Sequence, residues 1–182
     1  MTFWFTSDQH YGHTKIIQYC DRPFSSAEEM DEMIIEKHNK VVKDDDIVIN
    51  AGDFTLRKGI KSVYIKYIDR LNGRQIFLKG SHDYWLKGKD NVQILEKNLS
   101  IHGKKYYVVV CHYNMRTWAR SHYNSWQLHG HSHGKLKPVG KQHDIGVDNN
   151  NFYPVADYEI ERIMQSREDN FNLVLRPPLV WW

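Results

Sequence analysis

Five short polar motifs contain residue types that bind divalent metal ions, and each follows a run of strand-forming residues. The motifs are Asp8-Gln9-His10, Gly52-Asp53, Gly80-Ser81-His82-Asp83, Cys111-His112 and Gly130-His131-Ser132-His133. Carboxylates can hold and bridge two neighbouring cations, and imidazoles can complete each coordination shell. A pair of cations held in this way can hydrolyse a phosphate ester. The motifs therefore predict a two-metal phosphoesterase centre.

These motifs need a sheet whose strands end close together. Strand-forming runs at residues 3–6, 47–49, 75–78, 106–110 and 127–129 deliver the motifs to the loops that follow. Helical spacing and a capping pattern predict helices from Ser26 to about Val42, around residues 63–71 and over residues 155–167. Alternating strands and helices predict an α/β fold, in which ligand sites form beyond the carboxyl ends of strands.

The composition is that of one ordinary domain. With 182 residues, of which 41% are hydrophobic and 26% charged, the chain can bury a sizeable core. A net charge of +3 is too small for a dedicated nucleic-acid coat. Cys20 and Cys111 lie far apart in sequence and favour a reducing compartment, and no apolar run reaches membrane-spanning length. We therefore expect a single cytoplasmic domain over residues 1–182, without membrane contact.

The ordered set of motifs resembles the calcineurin-like metallophosphoesterase superfamily. The signature of that superfamily is Asp-x-His, Gly-Asp, Gly-Asn-His-Asp/Glu, a lone histidine and Gly-His-x-His. The opening Asp-Gln-His-Tyr-Gly-His, followed by Arg22-Pro23-Phe24, also resembles a compact group of microbial and phage phosphoesterases. The resemblance implies a four-layer α/β sandwich of two mixed β-sheets flanked by helices. It also implies hydrolysis of a phosphate ester by a hydroxide that bridges two metal ions.

The resemblance implies a role for each motif residue. The first metal would be held by Asp8, His10, Asp53 and His133, and the second by the bridging Asp53 with Ser81, His112 and His131. His82 would act on the scissile phosphate as a catalytic residue, steadied by Asp83. Shells of aspartate and histidine favour manganese, with iron, zinc or nickel as alternatives, over calcium or magnesium.

Ser81 departs from the pattern that the chain resembles. The superfamily has an asparagine at this position, and its amide oxygen ligates the second metal. A serine side chain is shorter and its hydroxyl is a poorer ligand, so we expect a weaker second site or one completed by water. Natural tolerance, natural loss of activity and a deliberate replacement are three open explanations for the serine.

Three residues outside the ligand set are candidates for substrate contact. His13 follows His10 by three residues, so it could touch the substrate or merely stabilise the turn. Arg22 belongs to the Arg-Pro-Phe segment of the resembled group. Arg116 lies in a segment of helical spacing, residues 113–126, that could bind nucleic acid through arginines and aromatic rings. The alternative for that segment is an amphipathic helix with Trp118 in the core.

We expect a phosphodiesterase for substrates of nucleotide or nucleic-acid origin, because no insertion is long enough to form a cap over the metals. The alternatives are a phosphomonoesterase of similar mechanism, a variant impaired by Ser81, a non-catalytic protein-binding scaffold and a nucleic-acid-binding module. The apolar Leu-Val-Trp-Trp at residues 179–182 predicts a sheet edge or a dimer contact. Both a monomer and a homodimer therefore remain open.

Overall fold

The structure is a computed structural model, and it describes residues 1–87 and 93–170. Within these residues the strands are β1 (Phe3–Thr6), β2 (Ile47–Asn50), β3 (Arg74–Phe77), β4 (Ile94–Ile101), β5 (Lys104–Cys111), β6 (Trp126–His129), β7 (Gln142–Asp144) and β8 (Val155–Ala156). The α-helices are α1 (Thr14–Tyr19), α2 (Ala27–Val41), α3 (Ile60–Lys66) and α4 (Asp157–Gln165). Short 3-10 turns lie at Ile68–Arg70 and Val147–Asn149.

The strands form two mixed four-stranded sheets. The first has the order β3-β2-β1-β8, in which β1, β2 and β3 are parallel and β8 runs antiparallel to β1. The second has the order β4-β5-β6-β7, in which β4 is antiparallel to β5 and the others are parallel. The predicted α/β sandwich of two mixed sheets flanked by helices is therefore confirmed.

The largest hydrophobic cluster joins the two sheets. Phe5 of β1 and Ile49 of β2 belong to it together with Val110 of β5 and Leu128 of β6, and all four are buried. The same cluster includes Ile160 of α4. Because the cluster lies directly behind the ends of these strands, it fixes the strand ends rigidly relative to one another.

A second cluster supports the loops that follow β1 and β2. Tyr11 follows His10, and its ring lies 5.0 Å from Phe54 and 4.6 Å from Tyr67 between centroids. The backbone N–H of Tyr11 donates to the Phe54 carbonyl at 2.9 Å. The loops after β1 and β2, which both carry predicted metal ligands, are therefore held together by aromatic packing and a backbone hydrogen bond.

Helix α2 begins as the sequence predicts. The Ser26 hydroxyl accepts the backbone N–H of Glu29 at 3.1 Å, and the Glu29 carboxylate accepts the backbone N–H of Ser25 at 2.7 Å. Further along the helix, the buried Asp31 accepts the N–H of Gly12 at 2.8 Å and the Tyr67 hydroxyl at 3.0 Å. The helix thus positions the loop after β1 as well as covering the core.

Residues 113–126 do not form the predicted helix. The backbone there runs through bends and turns, because Gln127 donates to the carbonyl of Tyr113 at 3.1 Å and Gln142 donates to the carbonyl of Met115. Trp118 is nevertheless buried and donates to the Ser125 hydroxyl at 2.8 Å. The prediction of a core tryptophan is confirmed, and the prediction of a helix is wrong.

The sequence patterns did not predict α1, β4, β7 or β8. Strand β4 alternates exposed and more buried residues along most of its length, so it lacks the apolar run that marks a central strand. In the part of the chain that the structure describes, no helix is long and apolar enough to cross a membrane. The terminal Leu-Val-Trp-Trp, predicted as a sheet edge or dimer contact, lies outside the described residues.

Candidate metal centre

Loops at the carboxyl ends of five strands bring the predicted ligands together. Asp8 and His10 follow β1, Asp53 follows β2, Ser81 and His82 follow β3, His112 follows β5, and His131 and His133 follow β6. Because β1, β2 and β3 run parallel in one sheet and β5 and β6 in the other, their loops emerge at a common edge. This is the edge at which ligand sites form in α/β folds.

The ligands form two groups that meet at Asp53. Asp8, His10 and His133 offer ligand atoms within 4.8 Å of one another, and so do Asp53, His112 and His131. Asp53 Oδ2 lies 3.4 Å from His112 Nε2 and also 3.6 Å from His10 Nε2 in the other group. The arrangement can hold two neighbouring cations with one carboxylate between them.

The backbone at this edge adopts left-handed conformations that residues other than glycine rarely adopt. Five of the predicted ligands have φ values between 47° and 65°: Asp8, His10, Asp53, His131 and His133. Left-handed backbone at non-glycine residues costs about 1–3 kcal/mol each and clusters at functional sites. A Cβ at Gly80 would collide with the Asp53 carboxylate, and one at Gly130 would collide with the Asp8 carboxylate. The chain therefore accepts strain and close backbone approach to bring these groups together.

The unpaired imidazole nitrogens test whether these residues fit metal ions. Both ring nitrogens of the buried His10 lack a hydrogen-bond partner among the described residues, and so does Nε2 of His112. His112 Nδ1 lies 3.1 Å from the Ala51 carbonyl, and His133 Nδ1 lies 2.7 Å from Asp148 Oδ2. An acceptor at Nδ1 holds the proton there and leaves the Nε2 lone pair free for a metal. The donor set therefore fits divalent cations.

The electrostatics of the centre also fit bound cations. Burial raises the pKa of Asp8 to about 7, although His112 and His133 oppose the shift. Burial lowers the pKa of His10 to about 3, so its imidazole is neutral and can act as a ligand. Burial opposes ionisation of Asp53, but His112 and His10 together lower its pKa below the usual range. Two buried carboxylates with imidazoles close to them favour the positive charge of metal ions.

His82 lies at the solvent side of the centre. Its side chain is 40% exposed, and Nε2 lies 4.0 Å from Asp53 Oδ2. The backbone N–H of His82 donates to Asp53 Oδ1 at 2.8 Å, which ties this loop to the carboxylate between the two groups. His82 therefore stands beside the ligands without belonging to either group.

Asp83 does not steady the His82 imidazole, so this prediction is wrong. The carboxylate accepts backbone N–H groups of Gly80 at 2.9 Å, Asp53 at 2.7 Å and Phe54 at 2.9 Å, and the Trp85 indole at 3.0 Å. Burial raises the pKa of Asp83 even though these donors favour its ionised form. Asp83 is a positioning residue that joins the loops after β2 and β3, not a catalytic residue.

Ser81 lies against the carboxylate that separates the two groups. Its hydroxyl donates to Asp53 Oδ2 at 3.0 Å and to Oδ1 at 3.2 Å. The side chain therefore occupies the edge of the second group and orients Asp53. The hydroxyl oxygen is the only side-chain atom of Ser81 that could coordinate a metal ion.

The three substrate candidates are placed differently. His13 lies beside the centre, with its ring centroid 5.5 Å from that of His10 and 6.2 Å from that of His82. Arg116 is exposed in the irregular segment after β5. The prediction that Arg22 contacts the substrate is wrong, because its side chain is 0% exposed and its guanidinium binds Asp148 at 2.7 Å. Arg22 instead supports the loop after β1 by donating to the carbonyl of Asp8 at 2.7 Å.

The sequence motifs did not predict a role for Asp148 at the metal centre. This buried carboxylate lies 2.7 Å from His133 Nδ1 and also binds Arg22. The attraction of Asp148 and Asp8 outweighs burial and raises the pKa of His133. Asp148 follows Gly146 in the loop after β7, but nothing in its spacing indicates contact with a histidine fifteen residues earlier.

A sandwich of two mixed sheets with candidate metal ligands at its strand ends is the architecture of a metallophosphoesterase. The family model for calcineurin-like phosphoesterases matches residues 1–175, and the chain belongs to this family. Membership implies metal-dependent hydrolysis of phosphate esters.

Two individual proteins are similar to this chain. The chain is 32% identical over 157 residues to the uncharacterized protein MJ1445 of Methanocaldococcus jannaschii, covering 82% of this chain and 84% of that protein. It also resembles the crystal structure of the protein of unknown function AQ665 from Aquifex aeolicus, with a TM-score of 0.64 and 23% identity. That match covers 89% of this chain and 98% of the other, and it supports the fold alone.

Proposed function

We propose that this protein hydrolyses phosphodiesters of nucleotide or nucleic-acid origin at a pair of divalent cations. The observation that carries the proposal is the position of Asp53, whose Oδ2 lies within 3.6 Å of an imidazole nitrogen from each ligand group. One carboxylate near both groups suits a bridging role. Manganese is the foremost candidate, with iron, zinc or nickel as alternatives.

Each group would hold one cation through residues of this chain. Asp8, His10 and His133 would bind the first, while His112, His131 and Ser81 would bind the second, and Asp53 would belong to both. Bound cations would neutralise charge on the phosphoryl oxygens and lower the pKa of a water. The remaining task for the chain is to orient the ester and to supply a proton to the departing oxygen.

His82 is the group that we assign to the leaving oxygen. Its imidazole lies beside Asp53 and is 40% exposed, so a bound ester could reach it. The nitrogen that faces the substrate would donate its proton as the phosphorus–oxygen bond breaks. His13 lies on the same side of the centre and would give a second hydrogen bond to the substrate, and the exposed Arg116 would contact it further out.

The exposure of the centre supports a preference for diesters. His131 is exposed and His82 is partly exposed, so the second group opens to solvent. A phosphodiester carries substituents on two oxygens and therefore needs room on both sides of the phosphorus. Such an open site can admit a substrate of that shape.

We also propose a cytoplasmic location and either a monomer or a homodimer. Cys20 and Cys111 are both free thiols, which supports a reducing compartment.

The proposed function is tested by measuring metal content together with ester hydrolysis. Bis(p-nitrophenyl) phosphate and p-nitrophenyl phosphate should be compared in manganese, beside elemental analysis of the purified chain. We expect two metal equivalents and a kcat/KM at least about tenfold higher for the diester, an effect of about 1.4 kcal/mol. Faster monoester hydrolysis would instead favour a phosphomonoesterase, and bound metal without turnover would favour a centre impaired by Ser81.

His82→Ala should bind metal normally and turn over slowly. We expect a loss of about 10²–10⁴-fold in kcat for diesters with an alkyl leaving group, because a proton donor matters most for a basic oxygen. The loss should be much smaller with p-nitrophenol as the leaving group. His102→Ala is the matched control, because His102 is exposed and pairs with Glu161 away from the centre. Equal losses for both leaving groups would make His82 an electrostatic stabiliser instead of a proton donor.

Ser81→Asn should strengthen the second metal site. An amide oxygen reaches further than the hydroxyl and is a better ligand, so we expect about tenfold tighter manganese binding, the size of effect seen on adjusting a metal's surroundings. Turnover at limiting manganese should rise in parallel, which a manganese titration of diesterase activity measures. Ser81→Ala is the control, since it removes the hydrogen bond to Asp53 without adding a ligand. The same metal dependence in the asparagine and serine forms would show that serine is a competent ligand.

A further inference from the structure

A polar cavity lies behind the loop that carries His131 and His133. Its volume is about 510 Å³, and its lining includes Lys135, Lys137, Arg167 and His143. Gly134 also lines the cavity and directly follows the metal-ligand candidate His133. The cavity and the candidate metal centre therefore lie on opposite sides of one short loop.

The charge of the cavity is positive. Asp144 is the only acidic side chain among its described lining residues. Its oxygens already accept the Ser132 hydroxyl at 2.6 Å, the Gly134 N–H at 2.7 Å and the Gly146 N–H at 2.8 Å. Asp144 thus fixes the loop and does not pair with the basic side chains of the lining.

Arg167 carries a guanidinium nitrogen that the described residues leave unpaired. Its Nη1 is buried and has no hydrogen-bond partner among the described residues. Burial lowers the pKa of Arg167, and no acidic group in the part of the chain that the structure describes offsets that effect. Removing a guanidinium from water is costly unless an acceptor or counter-charge replaces the water.

The other basic groups of the lining suit a phosphate as the acceptor. Lys137 is exposed at the mouth of the cavity, and Lys135 lies on the loop, where its amine reaches the Tyr19 carbonyl at 3.5 Å. His143 is buried and neutral, because burial lowers its pKa to about 4. An arginine fork and an exposed lysine amine match the several oxygens of a phosphate group better than one carboxylate.

We propose that this cavity binds a phosphate group, which is either a second phosphate of the substrate or free inorganic phosphate. The substrate-borne source rests on the proposed function, since a nucleotide or nucleic-acid substrate can carry a second phosphate past the loop. The binding of free phosphate does not depend on that function.

The first experiment measures binding of radiolabelled inorganic phosphate to the full-length chain by equilibrium dialysis. Asp53→Asn protein is used beside the metal-loaded wild type, so that loss of the metal ions removes competing phosphate sites. We expect saturable binding to persist in Asp53→Asn. Adding Arg167→Gln or Lys137→Gln should weaken it by about tenfold or more, as expected for a charge-assisted hydrogen bond. Arg162→Gln is the matched control, because Arg162 is exposed on α4 and does not line this cavity.

The second experiment identifies the source of the phosphate. The p-nitrophenyl ester of thymidine 5′-phosphate is compared with the same ester carrying a 3′-phosphate. A KM raised about tenfold by Arg167→Gln only for the 3′-phosphorylated ester supports a substrate-borne phosphate. Unchanged KM values together with weaker phosphate binding support free phosphate as the ligand.

The two experiments fail separately. Absent turnover of every diester would reject the proposed function while the dialysis still decides the cavity. Absence of saturable phosphate binding in Asp53→Asn, or equal binding in the Arg167→Gln, Lys137→Gln and Arg162→Gln forms, would overturn the inference. Lys137 is exposed, so its substitution remains informative if Arg167→Gln does not fold.

Discussion

Asp53→Asn should remove both metal ions and lower diester turnover on the order of 10³-fold, the loss typical of removing a principal electrostatic stabiliser. The carboxylate lies near His10 of one ligand group and His112 of the other, so both groups lose their shared anion. Asparagine keeps the side-chain volume and can still accept the N–H of His82, so folding should change little. Elemental analysis after dialysis, followed by the diesterase assay, measures both effects.

Two comparison variants sharpen this experiment. Asp8 belongs only to the first group, so Asp8→Asn should lose about one metal equivalent instead of two. Asp69 is exposed in the turn after α3, and Asp69→Asn should retain both metals and full activity. Retention of two equivalents by Asp53→Asn would show that this carboxylate does not bridge the groups.

Arg22→Met should destabilise the protein by about 3–5 kcal/mol, the cost of breaking a buried ion pair by removing one partner. The substitution leaves Asp148 without its arginine and removes the donors to the carbonyls of Asp8 and Gln9. Urea unfolding with a chelator present measures this loss independently of metal binding. We also expect weaker binding at the first metal group, because the loop after β1 loses its support.

Arg70 provides the matched control for the buried arginine. It pairs with Glu32 on the surface, where the two side chains are 39% and 63% exposed. Exposed pairs contribute about 0–1 kcal/mol, so Arg70→Met should have little effect. In Arg22→Met/Asp148→Asn the carboxylate left without its arginine is also neutralised, and part of the lost stability should return. An Arg22→Met cost no larger than that of Arg70→Met would contradict a supporting role for Arg22.

Much of the fold could be predicted from local patterns. Ile47-Val48-Ile49 and Tyr106 to Val110 read as buried strands because their β-branched and aromatic residues are apolar on both faces, and both form strands. Ser26 and Glu29 mark the start of α2 because a helix end needs local hydrogen-bond acceptors. These signals depend only on residues a few positions apart.

Patterns failed where distant residues compete with local preference. Residues 113–126 have helical spacing. The side chains of Gln127 and Gln142, however, donate hydrogen bonds to backbone carbonyls of this segment and hold it in turns. Strand β4 lacks an apolar run, yet it pairs with β5 along its whole length. In both segments, tertiary hydrogen bonds outweigh a preference of tenths of a kilocalorie per mole for each residue.

The sequence by itself determined which residues could bind metal, because each candidate ligand lies in the loop that follows a strand and strand ends share an edge of the sheet. The family resemblance implied two ligand sets that share Asp53, but only the tertiary structure gives the distances from Asp53 to His10 and to His112. It also assigned Arg22 and Asp83 to support, since their partners lie up to 126 residues away. Spacing along the chain predicts which loops carry ligands, whereas the packing of two sheets decides the distances between side chains from different loops.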